Sequence, residues 1–245
     1  MTSWPELIDR IKVYLRFSRQ ELSGLIPAII VTAFIFSFRD WGDESFNLIV
    51  GFTHFGLVLI IATISFLFYL SCQKIYALGQ GNKADFKVWW PGLLISLVLA
   101  FVSSGRVPLI FSGGMVIAFM TRHRLGEFRY GQNTIVVATT HMWASLGCMI
   151  MAILFAIGLH MFPQSYFFHK GLILNIILAF SSLLPIPRLD GLGLFFHSLG
   201  YYFFALLIFA LGAVLLLTRT TWGLIAAIVI GSIGGLVFIL IGSEK

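Results

Sequence analysis

Charge is scarce in this chain, and acidic charge is scarcest: of 245 residues, 10 are Asp or Glu and 16 are Lys or Arg, together 11%. Soluble domains carry about 25% charged residues, so this composition cannot clothe a water-facing surface. Cysteine is nearly missing as well. Cys72 and Cys148 both lie in or beside apolar runs, which excludes a disulfide framework and a Cys-x-x-Cys metal site and leaves two small buried hydrophobes. No basic run is interleaved with aromatics in the way a nucleic-acid face requires, so the net charge of +6 does not point to nucleic acid. Met1-Thr-Ser-Trp-Pro-Glu6 does not lead from a basic stretch into an apolar one, and so does not read as a secretory signal. No internal repeat of roughly 20–50 residues appears.

Hydrocarbon is what the chain has in quantity. Hydrophobic residues make up 59% and the mean hydropathy is +0.97. Apolar runs follow one another with short polar breaks, which predicts one all-α polytopic membrane protein. At ~20 residues per crossing, about six or seven membrane segments are expected. Residues 1–22 read as an amphipathic helix lying on the bilayer surface, with Arg10, Lys12, Arg16 and Arg19 along its basic edge. Residues 23–245 read as a single membrane domain. Within it, the apolar run after Leu25 and the run from Asn47 to Cys72 are helices. Pro91–Ser104 and Val107–Thr121 are each short, so a tight pair of spans and a re-entrant or strand element near 104–116 both remain open. Further helices are expected over about 133–159, 171–185, 192–217 and 222–242. Alternating sides along these segments puts twelve of the sixteen Lys and Arg on one face, which the positive-inside rule makes cytoplasmic together with the N-terminus. The chain is accordingly expected in the cell membrane, with the lipid bilayer as its first partner.

Asp190 stands out in this setting, because it ends a long apolar run, Asn175 to Leu184, that two prolines break. A carboxylate at membrane depth is costly and therefore a candidate for function. Pro185 and Pro187 stop the helix and set an extended turn, while Gly191 lets the backbone approach whatever Asp190 binds. The bland alternative is a structural carboxylate that caps the next helix or pairs with Arg188.

The segment Leu183-Leu-Pro-Ile-Pro-Arg-Leu-Asp-Gly191 resembles the third-ligand motif of the site-2 protease family (peptidase M50), intramembrane zinc metalloproteases, with Ser182 where that family has Asn. A second stretch is similar to the archaeal-type members of the family: Lys74, Ala77, Gly81, Ala84, Asp85, Phe86 and Gly92 keep the frame that succeeds their zinc helix. Phe17-Ser-Arg-Gln-Glu-Leu22 also looks like those relatives, so the resemblance spans about residues 17–195, with the core over 47–195 and extra C-terminal helices over 192–242.

The resemblance implies a His-Glu-x-x-His motif on the earlier helix, where two imidazoles four residues apart share a face and the Glu activates a metal-bound water. That motif is missing. Its frame puts Tyr69 at the first His, Leu70 at the Glu and Gln73 at the second His, with Asp190 as the retained ligand position. The resemblance therefore implies an archaeal-like pseudoprotease, a metalloprotease homologue without catalytic residues or cofactor, which binds other transmembrane proteins or acts as a scaffold or regulator. Two alternatives stand beside it. One is an intramembrane zinc metalloprotease in which His141 and His197 join Asp190 as substitute ligands. The other is a small transporter, for which a single mid-chain carboxylate is thin support. Tyr69 and Gln73, one turn apart, are expected to hydrogen-bond Asp190 where a metal would sit. His54 reads as a helix-packing residue, and Ser112-Gly-Gly114 as a strand or loop beside the site.

Overall fold

A computed structural model of the chain describes residues 4–41, 47–119 and 134–243. The basic segment Arg122–Arg129 and the start of the helix expected from residue 133 lie outside that set. In chain order the elements are α1 (Trp4–Tyr14), α2 (Arg19–Ser37), α3 (Leu48–Gly79), β1 (Asn82–Val88), α4 (Trp90–Val102), β2 (Gly113–Phe119), α5 (Thr134–Met161), α6 (Tyr166–Leu183), α7 (Asp190–His197), α8 (Leu199–Leu217) and α9 (Thr221–Ser243). Among the described residues five helices, α2, α3, α5, α6 and α8, are long and apolar enough to cross a membrane, and α9 is a further apolar helix, where six or seven segments are expected. The chain is thus a helical, multi-pass membrane protein with a bilayer as its environment.

Two of the expected segments are not full-length helices. Val107–Thr121 is extended rather than helical over its described part: Gly113 has φ +129°, and a Cβ there would sit 2.2 Å from the Lys87 carbonyl oxygen. β2 pairs antiparallel with β1, so the polar break from Asn82 is a strand that matches Phe86 to Met115. α4 is a 13-residue apolar helix, too short to cross alone. The irregular chain between α4 and β2 keeps its polar groups satisfied through serines of neighbouring helices. Ile110 N donates to Ser181 Oγ at 3.1 Å and Phe111 N to Ser96 Oγ at 2.8 Å. Non-helical backbone at membrane depth requires such partners.

Two helix boundaries also move. α2 begins at Arg19 because Ser18 and Glu21 form a reciprocal capping box, which draws the end of the expected surface helix into the second one. The helix expected over 192–217 breaks at Ser198, whose backbone is extended (φ −163°, ψ 106°) and whose hydroxyl accepts from Tyr201 N.

α5 is the central helix, packed against α3, α6, α7, α8 and α9. Lipid supplies no hydrophobic drive between helices, so close packing does the work. Rings seat on glycines in both directions between α5 and α6: a Cβ on Gly158 would lie 2.3 Å from the Phe168 ring, and one on Gly171 2.3 Å from the Phe155 ring. α3 meets α5 at Gly147, where a Cβ would come 2.8 Å from Tyr69 Cα. At the far end of α3, His54 stacks on Tyr166 (4.3 Å between centroids) and its Nδ1 lies 3.0 Å from the Asp40 carbonyl oxygen, a helix-packing role.

Candidate functional site

The loop between α6 and α7 carries the site. Leu184, which precedes proline, is extended as that position favours (φ −61°, ψ 134°). Pro185 and Pro187 then frame two tight turns, closed by Ile186 N on Leu184 O at 2.8 Å and Leu189 N on Ile186 O at 3.1 Å. Arg188 is left-handed, at φ +67°. This route brings Asp190 back under the end of α6 as the first residue of α7. Gly191 serves that return: a Cβ would lie 2.2 Å from the Leu183 carbonyl oxygen, so the glycine admits α6 rather than anything Asp190 binds.

Asp190 is buried and neither caps α7 nor pairs with Arg188; Leu189 is the N-cap residue and offers no side-chain bond. Its Oδ1 accepts from Met115 N of β2 at 3.1 Å and faces His141 Nδ1 of α5 at 2.8 Å. Two glycines make the room. A Cβ on Gly114 would be 3.2 Å from Asp190 Oδ1, and one on Gly193 would be 2.6 Å from His141 Nε2, so the imidazole lies flat on α7. Ser112-Gly-Gly114 therefore does border Asp190, at the start of β2.

The α3 residues sit around this pair differently from the expectation. Gln73 is fully buried, but its Nε2 donates to the backbone oxygens of Thr140 (3.3 Å) and His141 (3.5 Å), not to Asp190. It holds the backbone of the residue whose ring holds the carboxylate. Leu70 is buried at 1% exposure. Tyr69 lines a cavity of about 10 Å³ with Ser112, Cys148, Ser182 and Asp190. Ser182 spends its hydroxyl on Ser145 Oγ (2.8 Å) and Ala179 O (2.9 Å), stitching α6 to α5. His197 is not brought in: its Nδ1 lies 2.6 Å from the Gly193 carbonyl oxygen, on the exposed side of α7.

A second buried acid lies in the Phe17–Leu22 stretch, which carries the resemblance but to which the sequence assigns no role in the site. Glu21 pairs with Lys74 at 2.6 Å, both nearly inaccessible, and accepts from Phe86 N of β1 at 2.8 Å and Ser18 N at 2.8 Å. Lys74 also donates to Arg16 O at 3.2 Å and lies 4.6 Å over the Phe17 ring. Ser18-x-x-Glu21 is a capping-box pattern, a local signal in the sequence that could have given Glu21 a role.

The donors do not fit a zinc ion as they stand. A structural or catalytic zinc takes three or four N, S or O ligands. Among the described residues no three His, Cys, Asp or Glu side chains converge, and the imidazole and carboxylate that do meet are spent on each other.

Helices with a buried carboxylate clamped between a two-stranded sheet and the central helix define a multi-pass membrane protein with a buried polar site. No protein-family profile matches the chain. No solved structure matches it. The chain is similar to a protein of Methanocaldococcus jannaschii named "Putative zinc metalloprotease", at 25% identity over 176 residues, or 72% of this chain and 83% of that one. The likeness supports a metalloprotease-like relationship.

Proposed function

We propose that this chain is a site-2-protease-like membrane protein of the M50 type whose catalytic positions are degenerate, a pseudoprotease that holds transmembrane segments of other proteins without cutting them. One observation carries the reading: Asp190 Oδ1 is already engaged from within, by Met115 N and His141, beside a space of about 10 Å³. Leu70, in the frame position of the family's proton carrier, has no ionisable group to offer. Gln73, in that of the second imidazole, is turned to backbone carbonyls. The low but extended identity to a protein with a zinc metalloprotease name is consistent with shared ancestry.

Zinc content tests it. Protein purified from zinc-supplemented cells is expected to hold well under one zinc per chain and to leave transmembrane substrates uncut. Stoichiometric zinc that is lost in Asp190→Ala overturns the reading. Its rival, an intramembrane zinc metalloprotease with non-standard ligands, draws support from the 2.8 Å approach of His141 to Asp190, two donors already side by side. To seek partners, crosslinkers belong on the half-exposed Val116 of β2, since Ser112–Gly114 is buried against the Asp190 loop.

A further inference from the structure

At the end of the bundle away from Asp190, where α5 finishes, α6 begins and α8 turns into α9, lies a cavity of about 240 Å³. Its walls are hydrocarbon, with Leu159 of α5, Leu172 of α6, Leu216 of α8 and Leu224 of α9. Its rim is basic, with Arg219 and His160. Arg219 is the α8–α9 corner itself, left-handed at φ +53°, and its Nη2 donates to His169 Nε2 of α6. Among the described residues no carboxylate pairs with it. Asp40, an acid at this end of the bundle, is already engaged by Lys170 Nζ (2.6 Å) and the Tyr166 hydroxyl (2.6 Å).

A cation fixed over an apolar hole matches an amphiphile with an anionic head. A small water-borne anion would leave the leucines unused, and a neutral hydrocarbon would leave the guanidinium unused. The depth is that of a headgroup: Trp222, one turn beyond Arg219, is 81% exposed, and Trp concentrates where bilayer meets water. The volume falls below the ~300–1,000 Å³ of sites that enclose a whole drug-sized ligand, so it takes part of one chain and leaves the head outside. We propose that this cavity binds an anionic phospholipid, its phosphate on Arg219 and one acyl chain against the four leucines.

Native mass spectrometry of the purified full chain with equal dioleoylphosphatidylglycerol and dioleoylphosphatidylcholine tests this. The protein is expected to retain one phosphatidylglycerol with at least tenfold preference over phosphatidylcholine. Arg219→Gln should abolish the preference and Arg219→Lys keep most of it. Leu224→Trp, which fills the cavity with Arg219 in place, should lose the lipid. Arg106→Gln, an exposed cation at the same end, should change nothing. Equal retention of the two lipids overturns the proposal, as does a preference that survives in Arg219→Gln. Displacement of the lipid by millimolar inorganic phosphate would do so too, since it would mean an anion site that ignores the chain.

Discussion

Phe86 and Met115 face each other across the two-stranded sheet, and each gives its backbone N–H to a buried carboxylate, Phe86 to Glu21 and Met115 to Asp190. In an antiparallel ladder the residues of a non-hydrogen-bonded pair point these groups outward, so one rung exposes both edges of the sheet at once. Unpaired edges are costly in lipid and a liability in water. The two acids close this rung from opposite sides. Glu21 ties β1 to α2 and α3, and Asp190 ties β2 to α5 and α7. The most obvious carboxylate in the sequence is thus half of a matched pair, whatever else it does.

Asp190→Ala should destabilise the protein more than Asp190→Asn. Alanine strands both the Met115 N–H and the His141 ring N–H. Buried donors left unpaired cost about 1–3 kcal/mol each, so a loss on the order of 2–6 kcal/mol is expected. The Asn side chain keeps an oxygen acceptor at the same place. Melting temperatures of the two variants in one detergent check this, and equal losses would remove the hydrogen-bonding account.

The Glu21–Lys74 pair predicts a non-additive cycle. Removing one partner of a buried ion pair costs about 3–5 kcal/mol because the other charge is left bare, while replacing both is often close to neutral. Glu21→Gln and Lys74→Met should each lower the denaturation midpoint strongly, and the double variant should recover part of the loss. Additive losses would mean that the two side chains act separately.

Glycine substitutions separate close approach from mere flexibility. Gly191→Ala drives a Cβ to 2.2 Å from the Leu183 carbonyl oxygen, a backbone atom that cannot swing away, so a loss at or beyond the ~1–3 kcal/mol of overpacking is expected. Gly56→Ala in α3 meets nothing within 4 Å and should be neutral or gain up to about 1 kcal/mol from helix propensity. Thermal unfolding followed by circular dichroism reads both.

The long helices were legible because hydropathy alone sets a membrane span, and the Pro-x-Pro-x-Leu-Asp-Gly turn because proline and glycine act locally. β1 was not legible: Asn82-Lys-Ala-Asp-Phe-Lys-Val88 has little intrinsic strand preference and is extended because β2 lies beside it. The break at Ser198 falls at His197-Ser-Leu-Gly200, a polar dip too short to end an apolar run, so hydropathy alone does not set a boundary there. For the site, Asp190 was visible from its cost and His141 was one of two histidines offered as its companions, but nothing in the sequence separated His141, which meets it, from His197, which does not. His141 is 49 positions away, and the pairing depends on how α5 packs on α7 across Gly193. Glu21 was hidden by its neighbours Arg16 and Arg19, which made the segment look like a surface helix.

The frame that aligns Tyr69, Leu70 and Gln73 with a lost motif can be tested by rebuilding it. Tyr69 and Gln73 are one turn apart on the face of α3 that meets α5 near Asp190, the arrangement in which two imidazoles share a metal. The triple variant Tyr69→His, Leu70→Glu, Gln73→His places a carboxylate between two imidazoles at this level, with Asp190 as third ligand. His141 competes for that carboxylate, so a His141→Ala background should raise the gain. The expected outcome is about one zinc per folded chain, measured by inductively coupled plasma mass spectrometry and lost again with Asp190→Ala. A triple variant that folds in the His141→Ala background yet takes up no more zinc than the starting protein would show that α3 does not aim those positions at Asp190. The alignment with a zinc helix would then have to be abandoned.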